Sequence, residues 1–489
     1  MTVAALAPTR PLPTLDFSLI RRGFAYFACV CAVVAPFTPE PLVFFAGAVV
    51  PWVCLRLIGT PTMPAAVLYL VIWQWLQIFA RVPQTWIDGD TLATGLYGPN
   101  VARAYWYMLA SVVVMALAFR AVLGGLKPPT PAQRTAHYGW QIRDLVLLYI
   151  ATMVIASAAA IATRVVPGLS QPIVAVGSVK VVALFMLFTY VLSTGHGMKI
   201  LIGVVLFEVG SGFTGFFSDF RGVFIYLAIA AVAARIRWKG TVAFGAAVGS
   251  VALVALALFW TSVKGEYRTY AAGSDESQGI VVPLSERLGY LGTRAITPGV
   301  VSLGDSSYML LSRLAYVDIF GSVIDVQEAA PEQIPMRQWM EAVGHVVTPR
   351  FFFPDKAALS DSEVYMRLAR RFATEEVRMG TSISVGYMAE NFADLGFPGM
   401  LVGIAALGLV IAGAIRLLMS FRLPQVVREG IIMAFAFSMS RDGVEVSLPK
   451  TLGALVMFLI VFLLLNKFVF PKAMLWLNRH QTSLKARPA

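Results

Sequence analysis

The sequence predicts an all-α protein that crosses a membrane many times. Of its 489 residues, 58% are hydrophobic and only 13% are charged, and the mean hydropathy is +0.73. A soluble domain has about 45–50% apolar and about 25% charged residues, so a soluble fold would leave much of this apolar surface in water. Long apolar segments cross a membrane as helices, because a helix satisfies its own backbone hydrogen bonds.

Twelve apolar segments predict the spans. A spanning helix needs about 20 residues, and segments 221–235 and 428–440 are shorter than that. The segments define an N-terminal membrane bundle of about nine spans over 1–262, a large loop over 263–395, and a C-terminal bundle of about three spans with a tail over 396–489. In order, they are 22–37, 40–58, 64–80, 104–124, 144–165, 173–194, 199–217, 221–235, 242–262, 396–416, 428–440 and 450–471.

The distribution of Lys and Arg predicts the orientation of these spans. With the N-terminus inside, the cytoplasmic loops and tails hold about three times as many Lys and Arg residues as the short outer loops, which is the positive-inside bias. Both termini are therefore expected in the cytoplasm and loop 263–395 outside it. The net charge of +12 is then a topology signal, so we do not expect nucleic acid as a partner.

Cysteine and histidine are too rare for a disulfide scaffold or a metal cluster. The chain has three Cys and four His, too few and too scattered for a metal cluster. Cys31 and Cys54 lie in apolar stretches where they are expected as small buried hydrophobes. Asp88 and Asp90, in the pattern Asp-Gly-Asp, are a weak metal motif and also typical of a turn, which we favour. We expect no metal and no cofactor.

Arg221 is the first candidate for function. It follows Asp219 in the predicted outer turn between two spans. A guanidinium at the membrane surface suits a lipid pyrophosphate, because its planar fork binds phosphate oxygens in pairs and never deprotonates. The alternative is structural: Asp219 and Arg221 could simply clamp a tight turn.

Two further basic clusters are predicted on the same side. Arg441, Asp442 and Lys450 fall between the last two spans, where an ordinary turn needs only the Asp-Gly pair. Arg350 and Lys356 flank three consecutive Phe residues in the large loop. These Phe residues are expected to anchor the loop at the membrane interface, which leaves both cations able to face a lipid head group.

Other candidate residues lie at or within spans, where a charge is expensive to bury and therefore informative. Tyr387 and Glu390 lead into the span at 396–416, and Glu390 is either a general base or a helix-end charge. Lys180 and Glu208 fall on neighbouring spans, as a structural pair or as a proton relay. Arg313 lies in the loop outside any motif, so we expect it to be dispensable.

Three short motifs resemble stretches of the Wzy-type O-antigen and exopolysaccharide polymerases and the related O-antigen ligases. They are Ser-Asp-Phe-Arg ending at Arg221, Pro-Arg…Pro-Asp-Lys ending at Lys356, and Ser-x-x-x-Gly…Glu-x-x-x-x-x-Gly starting at Ser382. About twelve spans, with one long loop before the last three, are also similar to that family. The resemblance covers roughly residues 199–450.

The resemblance implies a glycosyltransferase-C-like fold in the bacterial inner membrane and a large periplasmic loop. It implies metal-independent, inverting transfer between two undecaprenyl-pyrophosphate-linked oligosaccharides, with membrane lipid, a chain-length co-polymerase and a flippase as partners. Fixed arginines would stabilise the leaving pyrophosphate and a carboxylate would accept the acceptor's proton. The catalytic candidates are Arg221, Arg350, Arg441, Glu390 and Asp442. The substrate-binding candidates are Asp219, Lys356, Tyr387 and Lys450.

Other functional classes remain open from the sequence. A transporter or flippase of lipid-linked sugars is favoured by Lys180 and Glu208, although no internal repeat of the kind common in transporters is visible. A metal-dependent glycosyltransferase acting on polyprenyl monophosphate sugars is favoured only by Asp88 and Asp90. An O-antigen ligase would share the donor and differ in the acceptor.

Overall fold

The computed structural model confirms the all-α prediction. It describes residues 13–95, 98–215, 219–273, 280–297, 299–300, 302–329, 336–348, 353, 356, 360–369, 383–440 and 443–485. Across these residues the chain is helical, with short 3-10 turns and an isolated β-bridge between Thr14 and Arg237.

The described N-terminal part contains twelve helices. They are α1 (Phe17–Val34), α2 (Pro41–Ile58), α3 (Val67–Phe79), α4 (Arg81–Ile87), α5 (Asn100–Leu123), α6 (Pro131–Thr135), α7 (Ile142–Val165), α8 (Ser170–Gly177), α9 (Val179–Thr194), α10 (Met198–Phe213), α11 (Phe220–Ala233) and α12 (Gly240–Ala272).

Shorter helices follow, before the chain returns to long apolar ones. Within the described residues the short helices are α13 (Leu284–Ile296), α14 (Leu303–Leu314), α15 (Val317–Ala329), α16 (Arg337–Val347) and α17 (Asp361–Leu368). The last four helices are α18 (Tyr387–Met419), α19 (Gln425–Ser440), α20 (Leu448–Phe468) and α21 (Phe470–Lys485).

Eight helical segments of the described chain are long and apolar enough to cross a membrane. They are Phe17–Phe37, Pro41–Ile58, Asn100–Leu123, Ile142–Thr163, Ser170–Thr194, Gly240–Ala272, Tyr387–Met419 and Leu448–Phe468. Each of the twelve predicted segments overlaps a helix, but α3, α10, α11 and α19 are shorter, at 13 to 16 residues. The chain is therefore a polytopic helical membrane protein, and the count of twelve spans stays a prediction.

Two helices extend further towards the predicted loop than the hydropathy pattern indicates. α12 continues as one helix past the predicted span end at 262 to Ala272. α18 begins at Tyr387, ahead of the predicted span start at 396, and bends where Gly396 and Phe397 leave helical geometry just before Pro398. Proline breaks the helical hydrogen-bond ladder, so a short, fully packed helical segment precedes the long apolar part of α18.

The core forms where α18 packs along α5. The two helices approach closely at Gly408: a Cβ built there would lie 2.8 Å from the Cβ of Ala118 and 2.9 Å from Sδ of Met115. Small residues allow this approach between membrane helices, whose association depends on packing and polar contacts. α5 and α18 thus form a close pair, and α2, α3, α15 and α16 pack against one or both of them.

A buried ion pair ties the short helices to the bundle. Nε of Arg81, at the start of α4, lies 2.7 Å from Oδ1 of Asp318 in α15, and the Arg81 side chain is 4% exposed. Burial raises the pKa of the Asp318 carboxyl, and the neighbouring Arg81 guanidinium opposes that rise. Removing one partner of such a pair leaves the other charge buried without its counter-charge.

We predict that Asp318→Ala destabilises the protein by about 3–5 kcal/mol, because the Arg81 guanidinium is left buried. The double variant Arg81→Met/Asp318→Leu should recover most of that loss. The exposed pair of Arg103 with Glu328 provides the control, since Glu328→Ala should change stability by less than about 1 kcal/mol. The measurement is the apparent Tm in detergent; equal effects of the two single variants would contradict the prediction.

Candidate functional site

A polar layer lies at the end of the bundle where the start of α18 meets the connection between α19 and α20. The backbone N–H of Tyr387 donates to the carbonyl of Val446 over 2.8 Å. The N–H of Leu448, the first residue of α20, donates to Oε2 of Glu390 over 2.5 Å. These bonds lock two segments that are far apart in sequence into one unit, which we call the interlock (residues 386–394 and 443–448).

Two glycines make the interlock possible. Gly386 has φ +80, and a Cβ there would lie 2.1 Å from the carbonyl oxygen of Val444. At Gly443, with φ +66, a Cβ would lie 1.6 Å from Oε1 of Gln77. Gln77 of α3 accepts the N–H of Val444 over 2.9 Å and donates to Glu445 over 3.1 Å. The connection between α19 and α20 is therefore held on both sides. A side chain at Gly386 or Gly443 would collide with these contacts.

Glu390 is a fold-organising carboxylate at the centre of this unit. Its side chain is buried, at 1% exposure, and it accepts the N–H of Leu448 at the N-terminus of α20. A helix N-terminus carries free N–H groups and a partial positive charge, so an acceptor there is strongly stabilising. Glu390 therefore lies at a helix end, which is one of the two roles that the sequence left open, and the role of general base stays a prediction.

Lys450 is also engaged in an ion pair. Its Nζ lies 2.6 Å from Oδ2 of Asp361, the first residue of α17. Oδ1 of the same carboxylate accepts a hydrogen bond of 3.0 Å from Oγ of Ser447. Asp361 thereby fastens the short helix α17 to the start of α20, and Lys450 neutralises it.

Tyr387 lines a small cavity within the bundle, whose lining is mostly apolar. Its hydroxyl donates to Oε1 of Gln74 over 2.5 Å. The cavity has a volume of about 10 Å³, which is close to the space that one water needs. Its polar lining comes from Gln74, Tyr387, Ser440 and Thr451. In this structure the cavity is too small for a sugar.

Arg221 lies on the other side of the same layer, over an aromatic pair. Its guanidinium carbon is 5.3 Å from the ring centre of Trp73, and Trp73 stacks on Tyr69 with ring centres 6.4 Å apart. The Tyr69 hydroxyl donates to the carbonyl of Ser440 over 2.8 Å. Trp73 Nε1 lies 2.9 Å from the position of a Cβ on Gly443. Arg221 is thus held half-buried beside the aromatic pair that contacts both ends of segment 440–443.

Three of the candidates lie outside the described residues: Arg350, Arg441 and Asp442. The structure therefore brings Arg221, Tyr387, Glu390 and Lys450 to one end of the bundle and leaves the other three as predictions. The described neighbours of Arg441 and Asp442, namely Ser440 and Gly443, both contact the aromatic pair under Arg221.

Asp219 and Lys356 occupy helix ends. Asp219 is the N-cap residue of α11, immediately before Phe220, where a negative charge is favourable. Nζ of Lys356 donates to the carbonyl of Thr348 over 2.8 Å and also to that of His345. It therefore satisfies free carbonyls at the C-terminal end of α16, as basic side chains commonly do.

Asp394, one turn beyond Glu390, is a structural residue that the sequence did not single out. Its two carboxylate oxygens accept the N–H groups of Gln338 and Trp339, each over 2.9 Å. Nε1 of Trp339 donates to Oδ1 of Asn391 over 2.9 Å. The start of α18 therefore holds the N-terminus of α16 as well as that of α20.

A second polar group sits deeper in the bundle, among α7, α9 and α10. Nζ of Lys180 lies 2.7 Å from Oε2 of Glu208, and the Tyr149 hydroxyl donates to Oε1 of Glu208 over 2.5 Å. The predicted proximity of Lys180 and Glu208 is confirmed. Each oxygen of the carboxylate has a donor, and the Lys180 and Glu208 side chains are 26% and 11% exposed, so the pair is partly buried.

The turn expected at Asp88-Gly-Asp90 is confirmed. Gly89 has φ +77, and the N–H of Asp90 donates to the carbonyl of Thr85. Across the described chain, no group of three or more His, Cys, Asp or Glu residues could hold a metal ion.

The polar residues of α3 were missed at the sequence level although a signal was present. Gln74 and Gln77 lie three residues apart in an otherwise apolar segment, so they share one face of the helix. Polar side chains on a spanning helix face protein rather than lipid. That rule would have predicted a polar contact for this face; its partner segment, 443–445, is not inferable from the sequence alone.

Comparisons with known proteins give a family and no function. A family model described as a domain of unknown function (DUF8712) matches residues 103–417. No curated protein matches the chain, and no solved structure does. The matched region runs from the start of α5 to the end of α18 and includes Arg221, Tyr387 and Glu390.

We predict that Gly386→Ala disrupts the interlock and lowers stability by about 3 kcal/mol or more. Its backbone geometry is nearly exclusive to glycine and costs other residues about 1–3 kcal/mol; the clash with the Val444 carbonyl adds to that. Gly413→Ala, also in α18 but with open space around the site, should leave the apparent Tm unchanged or higher because alanine favours a helix. A Gly386→Ala protein as stable as the control would contradict this account.

Proposed function

The chain belongs to the DUF8712 family, and on that premise we propose that it is a polymerase of bacterial cell-surface polysaccharides. It would join undecaprenyl-pyrophosphate-linked repeat units at the periplasmic face of the inner membrane, by metal-independent inverting glycosyl transfer. The three motifs that resemble Wzy-type polymerases support this assignment, together with the helical membrane architecture.

One observation carries the proposal: Arg221 lies half-buried over Trp73 at the end of the bundle that bears the interlock. Arginine commonly lies against an aromatic face, which fixes the plane of the guanidinium. Ser440 and Gly443 contact the same aromatic pair, and Arg441 follows Ser440 in the sequence, so we propose that Arg441 and Arg221 bind one pyrophosphate. Arg350 would approach from the large loop.

The proposed architecture has twelve spans and a glycosyltransferase-C-like arrangement. The four shorter apolar helices, α3, α10, α11 and α19, would complete the count because packing against other helices lets a short helix lie within a membrane protein. The Lys and Arg bias supports cytoplasmic termini and a periplasmic loop. The interlock and Arg221 would then lie at the periplasmic surface, where lipid-linked sugars are accessible.

In the proposed reaction a hydroxyl oxygen of the acceptor sugar attacks the anomeric carbon of the donor. The bond from that carbon to the pyrophosphate oxygen breaks, and the lipid pyrophosphate leaves with the electron pair. Negative charge grows on the leaving oxygen, so preorganised guanidinium groups stabilise the transition state. The hydroxyl proton passes to a carboxylate acting as general base.

Of the two candidate bases, we assign the proton transfer to Asp442. Glu390 is buried and binds the N-terminus of α20, so its proposed part is to position segment 443–448 rather than to meet substrate. Asp442 directly precedes that segment and neighbours Arg441 in sequence. Four other candidates would likewise support the site without contacting the substrate: Asp219, Tyr387, Lys356 and Lys450. Where the structure shows partners for their side chains, those partners are other groups of the protein.

A transporter of lipid-linked sugars is the second candidate. The Lys180–Glu208–Tyr149 group within the bundle favours it, because ionisable residues inside a membrane commonly mark transport routes. A transporter would move lipid-linked sugar across the membrane without changing it, whereas a polymerase produces longer glycans.

We predict that the purified protein, given a synthetic undecaprenyl-pyrophosphate-linked repeat unit, produces a ladder of longer glycans on a gel. A chelator should leave the ladder intact. Loss of activity on chelation with recovery on added magnesium or manganese would assign the chemistry to a metal-dependent enzyme. Movement of the substrate across a vesicle membrane with no ladder would support the transporter.

We predict that Arg221→Ala slows polymerisation by roughly 30- to 1,000-fold, as the loss of about 2–4 kcal/mol of transition-state stabilisation requires. Arg221→Lys should recover only part of the rate, because an ammonium cannot form the paired contact. The matched control is Arg56, whose guanidinium lies 5.1 Å from the ring centre of Trp52 on the proposed cytoplasmic side. Arg56→Ala should stay within about threefold of the parent rate.

We predict the orientation by cysteine labelling in a variant that lacks Cys29, Cys31 and Cys54. A cysteine at Ser285 should react with a membrane-impermeant reagent in intact cells, and one at Ala132 only after permeabilisation. The reverse pattern would place Arg221 on the cytoplasmic side and contradict the proposed function.

A further inference from the structure

One residue of α3, Gln77, connects the support of Arg221 to the interlock. Trp73 and Gln77 are four residues apart in α3 and therefore lie one turn apart on the same face of the helix. The guanidinium carbon of Arg221 lies 5.3 Å from the ring centre of Trp73, and the Gln77 amide bonds the connection between α19 and α20. One face of α3 therefore contacts both parts of the proposed pyrophosphate site.

Both ends of the Gln77 amide bond that connection. Its Oε1 accepts the N–H of Val444 over 2.9 Å, and its Nε2 donates to Oε1 of Glu445 over 3.1 Å. The side chain is buried, at 2% exposure. An amide that is held at both its acceptor and its donor end has one orientation. Gln77 therefore fixes where residues 444 and 445 lie along α3.

The same face of α3 also holds both neighbours of residues 441 and 442. A Cβ at Gly443 would lie 1.6 Å from Oε1 of Gln77 and 2.9 Å from Nε1 of Trp73. The hydroxyl of Tyr69, one turn earlier in α3, donates to the carbonyl of Ser440 over 2.8 Å. Residues 440 and 443 are therefore both attached to the helix face that supports Arg221.

The backbone of Gln77 ties the end of α3 to the short helices as well. Its carbonyl oxygen accepts the N–H of Tyr316, between α14 and α15, over 3.3 Å. The Tyr316 hydroxyl donates in turn to the carbonyl of Ser384, two residues before Gly386. Gln77 thus joins the end of α3, the connection between α14 and α15, and the interlock.

We propose that Gln77 is a positioning residue of the pyrophosphate site, which sets segment 440–445 in register with Arg221 on Trp73. This inference rests on the proposed function, in which Arg221 and Arg441 bind one pyrophosphate. Gln77 acts through the two segments that carry these arginines and does not contact the substrate. Catalysis by preorganised groups is sensitive to small displacements, since a shift of about 1 Å can slow a reaction about 100-fold.

Three variants isolate this role. Gln77→Met keeps the length of the side chain and removes both amide contacts. Gln77→Glu can still accept the N–H of Val444, but it places a second carboxylate against Glu445. The exchange Gln77→Glu/Glu445→Gln restores the acceptor for Val444 and a donor–acceptor pair between residues 77 and 445, with the total charge unchanged.

Gln84→Met is the matched control. Gln84 lies in α4 and is as deeply buried as Gln77, at 4% exposure. Its Oε1 has no hydrogen-bond partner within the described part of the chain. The control therefore makes the same substitution at a buried glutamine without removing an amide contact to segment 440–445.

Two measurements on the full-length protein in detergent test the proposal. The first gives kcat and KM for glycan extension from a synthetic undecaprenyl-pyrophosphate-linked repeat unit. The second gives the affinity for a polyprenyl pyrophosphate by native mass spectrometry. Gln77→Met and Gln77→Glu should lower kcat by about 10- to 100-fold and weaken binding, and the exchange should recover most of both. Gln84→Met should stay within about threefold of the parent.

A double-mutant cycle separates positioning from a general loss of structure. Added to Arg221→Ala, Gln77→Met should cost much less than it does alone, because both changes act on the same site. Where Gln77→Met lowers the apparent Tm, the exchange variant decides, since it keeps the buried contacts. A parental kcat and affinity in Gln77→Met, equal losses in Gln84→Met, or an exchange variant that folds without recovering activity or binding would overturn the proposal.

Failure of the proposed function gives a different result. A parent protein that binds polyprenyl pyrophosphate but produces no ladder would reject the polymerase, and the affinities of the variants would then decide the role of Gln77. A parent protein that neither binds the lipid nor extends a glycan would overturn both proposals.

Discussion

The contact between Gly386 and the carbonyl of Val444 is the constraint on which the rest of this end of the molecule depends. It lets the backbone at Tyr387 bond Val446 and brings Glu390 to the N-terminus of α20. From the same short stretch of α18, Asp394 holds the N-terminus of α16. One close backbone approach therefore fixes the positions of two spans and of a helix of the large loop relative to each other.

Most charged residues of this region hold the fold through hydrogen bonds and ion pairs, and Arg221 is supported differently. Glu390, Asp394, Lys450 and Lys356 are all engaged by helix ends or opposite charges. Arg221 differs, because an aromatic face supports the plane of its guanidinium. In the proposed function, a rigid, hydrogen-bonded layer keeps guanidinium groups in place while the leaving pyrophosphate gains charge.

Much of the fold could be predicted from the sequence, because hydropathy and helix length are local properties. The all-helical class, the apolar segments and the proximity of Lys180 and Glu208 all follow from them. The early start of α18 could not be predicted, since residues 387–395 include Glu390 and Asp394 and are too polar for a span by composition. Their burial depends on helix N-termini supplied by α16 and α20, which no local pattern encodes.

The most direct test of the central claim is to map where the pyrophosphate binds. A photoreactive polyprenyl pyrophosphate, cross-linked to the full-length protein and located by mass spectrometry of the fragments, reports that position without requiring turnover. The account predicts cross-links at Arg221 and Trp73 and in segment 440–443, reduced in the Arg221→Ala protein. Cross-links confined to α7, α9 and α10, around Lys180 and Glu208, would contradict it and favour a transport route through the bundle.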